Sequence, residues 1–289
     1  MTSEMRVALV VALLGACEWG GGPGPGPSGH VADAKTADAK VFKDAGIDTR
    51  PPDAAIDAPP NPTSHVVMSE IAVAPDGAEF IELYNPTAQA VDLSQYYLSN
   101  HGSYWKLPVA GQAIPFAHFI VQFPAGATLA SGAAITVATQ GAAPFMAFYN
   151  KLPTYSITDG TMINTVVSNT PRLTDGGASV ILFQWDGASG LVKDVDIMIV
   201  GVPSATNVLI DKSGTTQLGM TYATDANSIP TQPSSPGIGQ STKRKKLEDG
   251  QETAAGGNGL TGHDETSEHT DVTWDTSFSA GTPGTVPAF

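Results

Sequence analysis

The stretch Glu79-Phe80-Ile81-Glu82-Leu83-Tyr84-Asn85 decides the fold class of this 289-residue chain. Successive side chains of a β-strand point to opposite faces, which places Ile81 and Leu83 on one face and Glu82 on the other. Asn85 and Pro86 then end the strand, because proline cannot donate a ladder hydrogen bond and asparagine readily bonds its own backbone. The stretch therefore predicts a β-strand followed by a sharp turn.

Similar short runs, apolar or alternating, recur on both sides of this stretch and are separated by glycine, proline, asparagine and aspartate. Strong helical patterns of ten or more residues are missing from the same region. Many short strands with turn residues between them predict an antiparallel β-sandwich or barrel. The run at 180–185 is apolar nearly throughout, which is typical of a central strand. The predicted strands cover residues 66–73, 79–85, 96–99, 118–123, 134–139, 179–185 and 192–202.

The order of these segments resembles the lamin tail domain, an immunoglobulin-like antiparallel β-sandwich. The family's second strand is usually an aromatic residue, then Ile-Glu-Leu, a variable residue and Asn, as in 80–85 here. The chain departs at Gln95-Tyr96, where the family usually has Gly-Trp. The resemblance implies one all-β sandwich domain over 63–289, with insertions near 142–170 and 203–240 that leave the strand count open. Further matching segments are 67–71, 91–94, 97–99, 127–137, 173–180, 241–244 and 282–284.

An apolar run at residues 7–14 leads into Leu14-Gly15-Ala16-Cys17. The run is too short to span a bilayer but fits the hydrophobic region of a secretory signal. The sequence before Cys17 resembles the lipobox of bacterial lipoproteins, where a peptidase cuts before the cysteine, which is then acylated on its sulfur and amino group. The alternative is an ordinary signal peptide with a chance cysteine. We predict a signal peptide over 1–16 and a lipid anchor at Cys17, because the one cysteine of the chain stands where this chemistry needs it. Several acyl chains anchor stably where one would be marginal, since each buried CH₂ contributes about 0.8 kcal/mol.

Residues 17–62 are rich in glycine, proline, alanine and aspartate and contain few residues that could form a core. Glycine keeps the backbone flexible and proline opposes helix, so we predict a disordered tether. Glu18 follows the predicted acylated cysteine. In several Gram-negative systems aspartate at this place retains lipoproteins in the inner membrane. The resemblance therefore favours export to the outer membrane of a Gram-negative cell envelope.

Charge and cysteine content exclude several classes of function. The chain carries 14 Lys and Arg against 28 Asp and Glu, for a net charge of −14. Affinity for a phosphate backbone depends on basic residues, which argues against nucleic acid as a partner. One cysteine excludes an intramolecular disulfide framework and a cysteine-based zinc cluster. Because no run of about 18 apolar residues occurs, we expect no membrane-spanning helix.

No catalytic motif stands out, since G-x-S-x-G, the P-loop and H-E-x-x-H are all missing from the sequence. Glu70, Glu79 and Glu82 could supply an acid–base pair, but we interpret them as a charged solvent face. A calcium site at Asp225, Asn227 or the acids of 248–252 would lack the dense oxygen pattern of an EF-hand. The densest group of metal-ligating types, which we interpret as a solvated acidic loop, is His263, Asp264, Glu265, Glu268 and His269.

Two further clusters are candidates for binding. Four of the nine basic residues beyond position 63 are consecutive and could contact an anion or nucleic acid, namely Lys243, Arg244, Lys245 and Lys246. We interpret this run as a solvated edge strand, where lysines oppose pairing between sheet edges. The aromatic concentration that could form a sugar-binding platform comprises Tyr96, Tyr97, Tyr104 and Trp105.

These observations favour a lipid-anchored cell-envelope protein that carries a non-catalytic binding or structural module. We expect no cofactor, a membrane contact through the lipid on Cys17, and a protein or envelope-polymer partner. The alternative is a surface hydrolase or metal-dependent enzyme that uses acids or histidines of the folded domain.

Overall fold

The computed structural model of this protein describes residues 65–109, 117–201, 210–225, 235–248, 256–286 and 288–289. The predicted signal peptide over 1–16, the predicted lipidation site Cys17 and the predicted tether over 17–62 lie outside these residues. None of the helices in the described ranges has the length and hydrophobicity needed to cross a membrane.

The described residues form mostly short β-strands. Two α-helices are present in them, α1 (Ala142–Tyr149) and α2 (Thr270–Thr273), with 3₁₀ turns at Tyr104–Lys106, Leu260–Gly262 and Glu265–Ser267. The strands are β1 (Val67–Ala72), β2 (Phe80–Tyr84), β3 (Val91–Asp92), β4 (Tyr96–Ser99), β5 (Phe119–Gln122), β6 (Thr128–Leu129), β7 (Ala134–Ala138), β8 (Tyr155–Ser156), β9 (Ile163–Val167), β10 (Gly177–Gln184), β11 (Lys193–Gly201), β12 (Thr216–Gln217), β13 (Met220–Thr221), β14 (Gln240–Lys243) and β15 (Ser279–Ala280).

Two sheets contain most of these strands. The first has the order β15-β14-β1-β2-β7-β8, and the second has the order β11-β10-β4-β5-β9. Neighbouring strands are antiparallel except for β7 and β8, which are parallel. Two short pairs, β12 with β13 and β3 with β6, complete the described pairing.

The core lies between the two sheets. Ile81 and Leu83 of β2 pack in the same buried cluster as Leu98 of β4 and Val180 of β10. Because alternate residues of a strand share a face, this cluster is the meeting of the two inner faces of a sandwich. The prediction that Ile81 and Leu83 share a core face is confirmed, and the fold is a β-sandwich.

The outer faces of both sheets are also covered. On the first sheet, Phe80 packs edge-on against Phe145 and Tyr149 of α1, with ring centroids 5.8 and 5.4 Å away. On the second sheet, Ile181 and Phe183 belong to a separate apolar cluster, with Tyr104, Ile210 and Tyr222 over them. This second cover explains why β10, which lies between β4 and β11, is apolar on both faces.

All seven predicted strands are present, with ends that differ from the prediction by no more than two residues. The region 142–170, interpreted as a long insertion, contains α1, β8 and β9. Helix α1 follows Gly141 and ends at Asn150, which adopts the left-handed conformation with φ of 53°. Its eight residues are fewer than the ten required of a strong helical pattern, which is why the sequence did not predict it.

Candidate functional site

The basic run at 243–246 is not a continuous exposed patch. Arg244 is only 4% exposed, whereas Lys245 and Lys246 are exposed and Lys243 is intermediate. The interpretation of this run as a solvated edge strand is also wrong, because β14 lies between β1 and β15. Arg244 directly follows β14, forms an isolated antiparallel bridge with Trp274 and is buried, so the anion contact considered for this run is left with lysines alone.

Arg244 joins the two sheets. Its Nη2 donates to Asp196 Oδ1 of β11 at 2.6 Å, and its Nη1 donates to Glu268 Oε1 at 3.2 Å. Its Nε donates to the carbonyl oxygen of Met68 in β1 at 2.7 Å. Burial acts to lower the pKa of Arg244, but Asp196 and Glu268 raise it above the ordinary value. Arg244 is therefore a buried structural cation, and it does not present its charge to a ligand.

The acids of the group at 263–269 are buried and its two histidines are of intermediate exposure, so the interpretation of the group as a solvated acidic loop is wrong. Asp264, Glu265 and Glu268 are 3 to 4% exposed. Glu268 pairs with Arg244, and the nearest approach of His263 Nδ1 to Glu265 Oε1 is 3.9 Å. The group packs against β11 and against Arg244.

A second buried ionic network centres on Lys212, which the sequence analysis did not single out. Its Nζ lies 2.7 Å from Asp194 Oδ2 and 3.1 Å from Asp225 Oδ2, and all three side chains are at most 1% exposed. The Tyr104 hydroxyl donates to Asp194 Oδ1. Burial acts to lower the pKa of Lys212, and the two carboxylates raise it above its ordinary value. Asp225, which the sequence offered as a calcium ligand, therefore forms an ion pair with Lys212 instead.

The same calcium hypothesis also named Asn227 and the acids of 248–252. Asn227 and residues 249–252 lie outside the described residues. Glu248 is buried and its Oε1 lies 3.3 Å from His65 Nε2.

The aromatic residues considered as a sugar-binding platform do not form one. Tyr96, Tyr97 and Tyr104 are 5%, 3% and 0% exposed. Tyr96 packs in the core between the sheets, whereas Tyr97 and Tyr104 belong to the apolar cluster on the outer face of the second sheet. Trp105 is half-buried, with its ring 5.8 Å from that of Tyr222. A stacking platform needs exposed ring faces, which the three tyrosines do not offer.

The glutamates at 70, 79 and 82 are all buried, so the prediction of a charged solvent face is wrong. Glu82 accepts hydrogen bonds from the Ser69 hydroxyl at 2.8 Å and the Gly284 N–H at 2.5 Å. Glu70 accepts from the Ser241 hydroxyl at 2.5 Å and the Thr282 N–H at 2.8 Å. The 282–284 segment therefore folds over this face and satisfies both carboxyl groups.

The third glutamate, Glu79, belongs to a cluster that the sequence did not bring together. One carboxylate oxygen of each of Asp76, Glu79 and Asp175 lies within 4.8 Å of the others. Asp76 is in the turn between β1 and β2, and Asp175 is in the turn before β10, so the cluster connects the two sheets. A cavity of about 410 Å³ adjoins it, lined by residues that include Asp76, Arg172, Asp175 and Ile238. We call these three acids and this cavity the acidic cavity.

Within the acidic cavity, Glu79 is fully buried while Asp76 and Asp175 are exposed. Glu79 Oε2 accepts hydrogen bonds from the Leu173 N–H at 2.7 Å and the Thr139 hydroxyl at 2.8 Å. Glu79 Oε1 has no hydrogen-bond partner among the described residues. Burial raises the pKa of the Glu79 carboxyl to about 8; the two hydrogen bonds act to lower it, and Asp76 and Asp175 raise it further.

Comparisons with known proteins show which family this chain matches. The family model of the lamin tail domain matches residues 59–223, which is more than half of the chain. The match ends before the segments 241–244 and 282–284, which nevertheless complete the first sheet and cover it. A search of curated proteins returns no match. Among solved structures, a DUF4876 family protein from Bacteroides thetaiotaomicron is similar, with 16% identity and a TM-score of 0.38 over 78% of this chain and 72% of that one.

Proposed function

The chain belongs to the lamin tail domain family, and from that premise we propose that it is a lipid-anchored cell-envelope protein whose β-sandwich acts by binding and not by catalysis. The observation that carries this proposal is the position of Cys17. It is the one cysteine of the sequence, and it directly follows the apolar run 7–14 and the residues Leu14-Gly15-Ala16. The outer membrane is the proposed location, because Glu18 follows the cysteine where an inner-membrane lipoprotein would carry aspartate.

The arrangement of the buried ionisable groups supports binding over catalysis. Lys212 and Arg244 are each held by two carboxylates, and the acids at 264–268 are buried. A general acid or base must reach the proton that it transfers. Groups enclosed in ion pairs stabilise the fold and do not contact a substrate. The loops and exposed edges of the sandwich are then the surfaces that contact a protein or an envelope polymer. Fold alone does not choose between these partners.

The anchor is tested by labelling the full chain with radioactive palmitate in a bacterial host. We expect label on the wild type and on a Ser28→Ala control in the predicted tether, and none on Cys17→Ala. Globomycin should leave the unprocessed precursor. A wild-type chain whose Cys17 sulfur is unmodified by mass spectrometry would refute the anchor. Glu18→Asp should move the protein toward the inner-membrane fraction of a sucrose gradient.

The absence of catalysis is tested by assaying the full chain against nuclease, phosphatase, esterase and glycosidase substrates, with and without divalent metals. We expect no turnover above buffer. Turnover that a single substitution of an acid or histidine abolishes would establish the alternative, a surface enzyme. Crosslinking in native envelopes followed by pull-down then identifies the partner.

A further inference from the structure

We propose that the acidic cavity is a binding site for one Ca²⁺ ion, with Asp76, Glu79 and Asp175 as its protein ligands. This inference goes beyond the proposed function, and it does not depend on the lipid anchor.

The spacing of the three carboxylates suits a single ion. Calcium binds oxygen ligands at about 2.3–2.6 Å, so two oxygens on opposite sides of it lie about 5 Å apart. The oxygens of Asp76, Glu79 and Asp175 are all within 4.8 Å of one another. One ion can therefore contact all three without a movement of the backbone.

The buried carboxyl of Glu79 is the second, independent observation. Its side chain is fixed, because Oε2 accepts from Leu173 and Thr139, whereas the buried Oε1 has no hydrogen-bond partner among the described residues. A buried polar atom without a partner costs free energy, and a buried carboxylate costs more. A cation held against this carboxylate supplies the missing interaction.

The surroundings favour Ca²⁺ over other divalent ions. All three ligands are hard carboxylate oxygens, and among the described residues no sulfur or imidazole joins them that would favour a transition metal. Calcium accepts six to eight ligands in irregular geometry, and the cavity of about 410 Å³ leaves room for the water that would complete this number. Mg²⁺ demands near-ideal octahedral geometry, which three side chains from two separate turns do not impose.

Arg172 is the group that competes with the ion. Its Nη1 lies 3.1 Å from Asp76 Oδ2, and both side chains are largely accessible, at 39% and 58%. Because such exposed pairs are weak, Asp76 can exchange this contact for a metal ion. The positive charge of Arg172 nevertheless lowers the affinity of the site for a cation. A substitution that removes this charge should therefore strengthen binding.

Isothermal titration calorimetry of the full chain in detergent, with CaCl₂ and separately with MgCl₂, tests the proposal. We expect one Ca²⁺ per chain with a Kd on the order of 10⁻⁴–10⁻³ M, as for extracellular calcium modules, and weaker binding of Mg²⁺. Saturating Ca²⁺ should also raise the melting temperature by about 3 °C, because it binds only the folded state.

Substitutions at the proposed ligands and at Arg172 test where the ion binds. Asp76→Asn and Asp175→Asn change exposed residues and should each weaken Ca²⁺ binding at least about tenfold, since each removes a full charge beside the ion. Arg172→Gln should strengthen binding several-fold, a change that damage to the fold would not produce. Asp271→Asn, outside the cluster, should leave the affinity unchanged. Absence of Ca²⁺ binding, binding that the first two variants leave intact, or tighter binding of Mg²⁺ would each overturn the proposal.

Discussion

The guanidinium of Arg244 and the carboxylate of Asp196 form a buried ion pair across the two sheets, with Nη2 and Oδ1 2.6 Å apart and both side chains at most 2% exposed. Asp196 Oδ2 also accepts the Met68 N–H of β1 at 2.5 Å. The pair therefore connects β11 of the second sheet to β1 of the first sheet and to the residue that directly follows β14. Strand pairing within each sheet cannot supply such a link, because ladder bonds run only between neighbours in one sheet.

Arg244→Ala should lower the free energy of unfolding by about 3–5 kcal/mol, because it leaves the carboxylates of Asp196 and Glu268 buried without a cation. Urea denaturation of the full chain at pH 7 measures this change. Lys246→Ala removes an exposed charge from the same run. The free energy of unfolding of this variant should stay within about 0.5 kcal/mol of that of the wild type. Equal stability of the two variants would show that Arg244 does not hold the sheets together.

Lys212→Met should destabilise the protein by about 3–5 kcal/mol at pH 7, because Asp194 and Asp225 lose their shared cation. The loss should shrink as the pH falls, since a protonated Asp194 carboxyl no longer needs the lysine. Burial already raises the pKa of Asp194, which favours this protonation. Lys193→Met, at an exposed position of β11, is the matched control. A loss that is the same at pH 5 and pH 7 would contradict this account.

The strands could be predicted from the sequence because their signal is local. Alternation over five residues assigned Ile81 and Leu83 to the core, and Asn85 with Pro86 assigned the end of β2. The charged clusters could not be predicted, because their members are distant in the chain. Asp196 and Arg244 are 48 positions apart, and Asp76 and Asp175 are 99 apart. Only the pairing of strands and the approach of the two sheets bring them together.

Several polar residues are buried at positions where the sequence pattern predicts exposure. A glutamate that alternates with apolar residues, such as Glu82, indicates a solvent face. Here α1 and the 282–284 segment cover that face, and neither is evident from β2 itself. The same reasoning applies to Arg244, whose neighbours Lys245 and Lys246 are exposed as expected.

Asn85→Ala should destabilise the protein by about 2–3 kcal/mol, because a buried side chain with four hydrogen bonds is lost. Its Nδ2 donates to the carbonyl oxygens of Gln89 and Leu129 at 2.8 and 2.9 Å. Its Oδ1 accepts from the N–H and hydroxyl of Thr87 at 3.0 and 2.7 Å. Thermal unfolding measures the effect, with Asn164→Ala on an exposed position of β9 as control. If both variants melt together, Asn85 does not organise the turn after β2.

Glu82→Gln should flatten the dependence of stability on pH. Burial raises the pKa of the Glu82 carboxyl from 4.5 to about 7, against the opposing effect of the hydrogen bonds from Ser69 and Gly284. Between these two pH values the native state binds more protons than the unfolded state, so stability falls as the pH rises. The fall amounts to at most about 3 kcal/mol for this one group.

The measurement is urea denaturation of wild type and Glu82→Gln at pH 5 and pH 8. Glutamine cannot titrate, so the variant should lose less stability than the wild type over this interval. Placing an amide beside the Gly284 N–H has a fixed cost, which lowers the free energy of unfolding of the variant equally at pH 5 and pH 8. The change in stability between the two pH values is therefore unaffected. Other titrating groups, Glu79 among them, contribute alike to both proteins and cancel in the comparison. Parallel pH profiles of the two proteins would show that Glu82 stays ionised in the folded state.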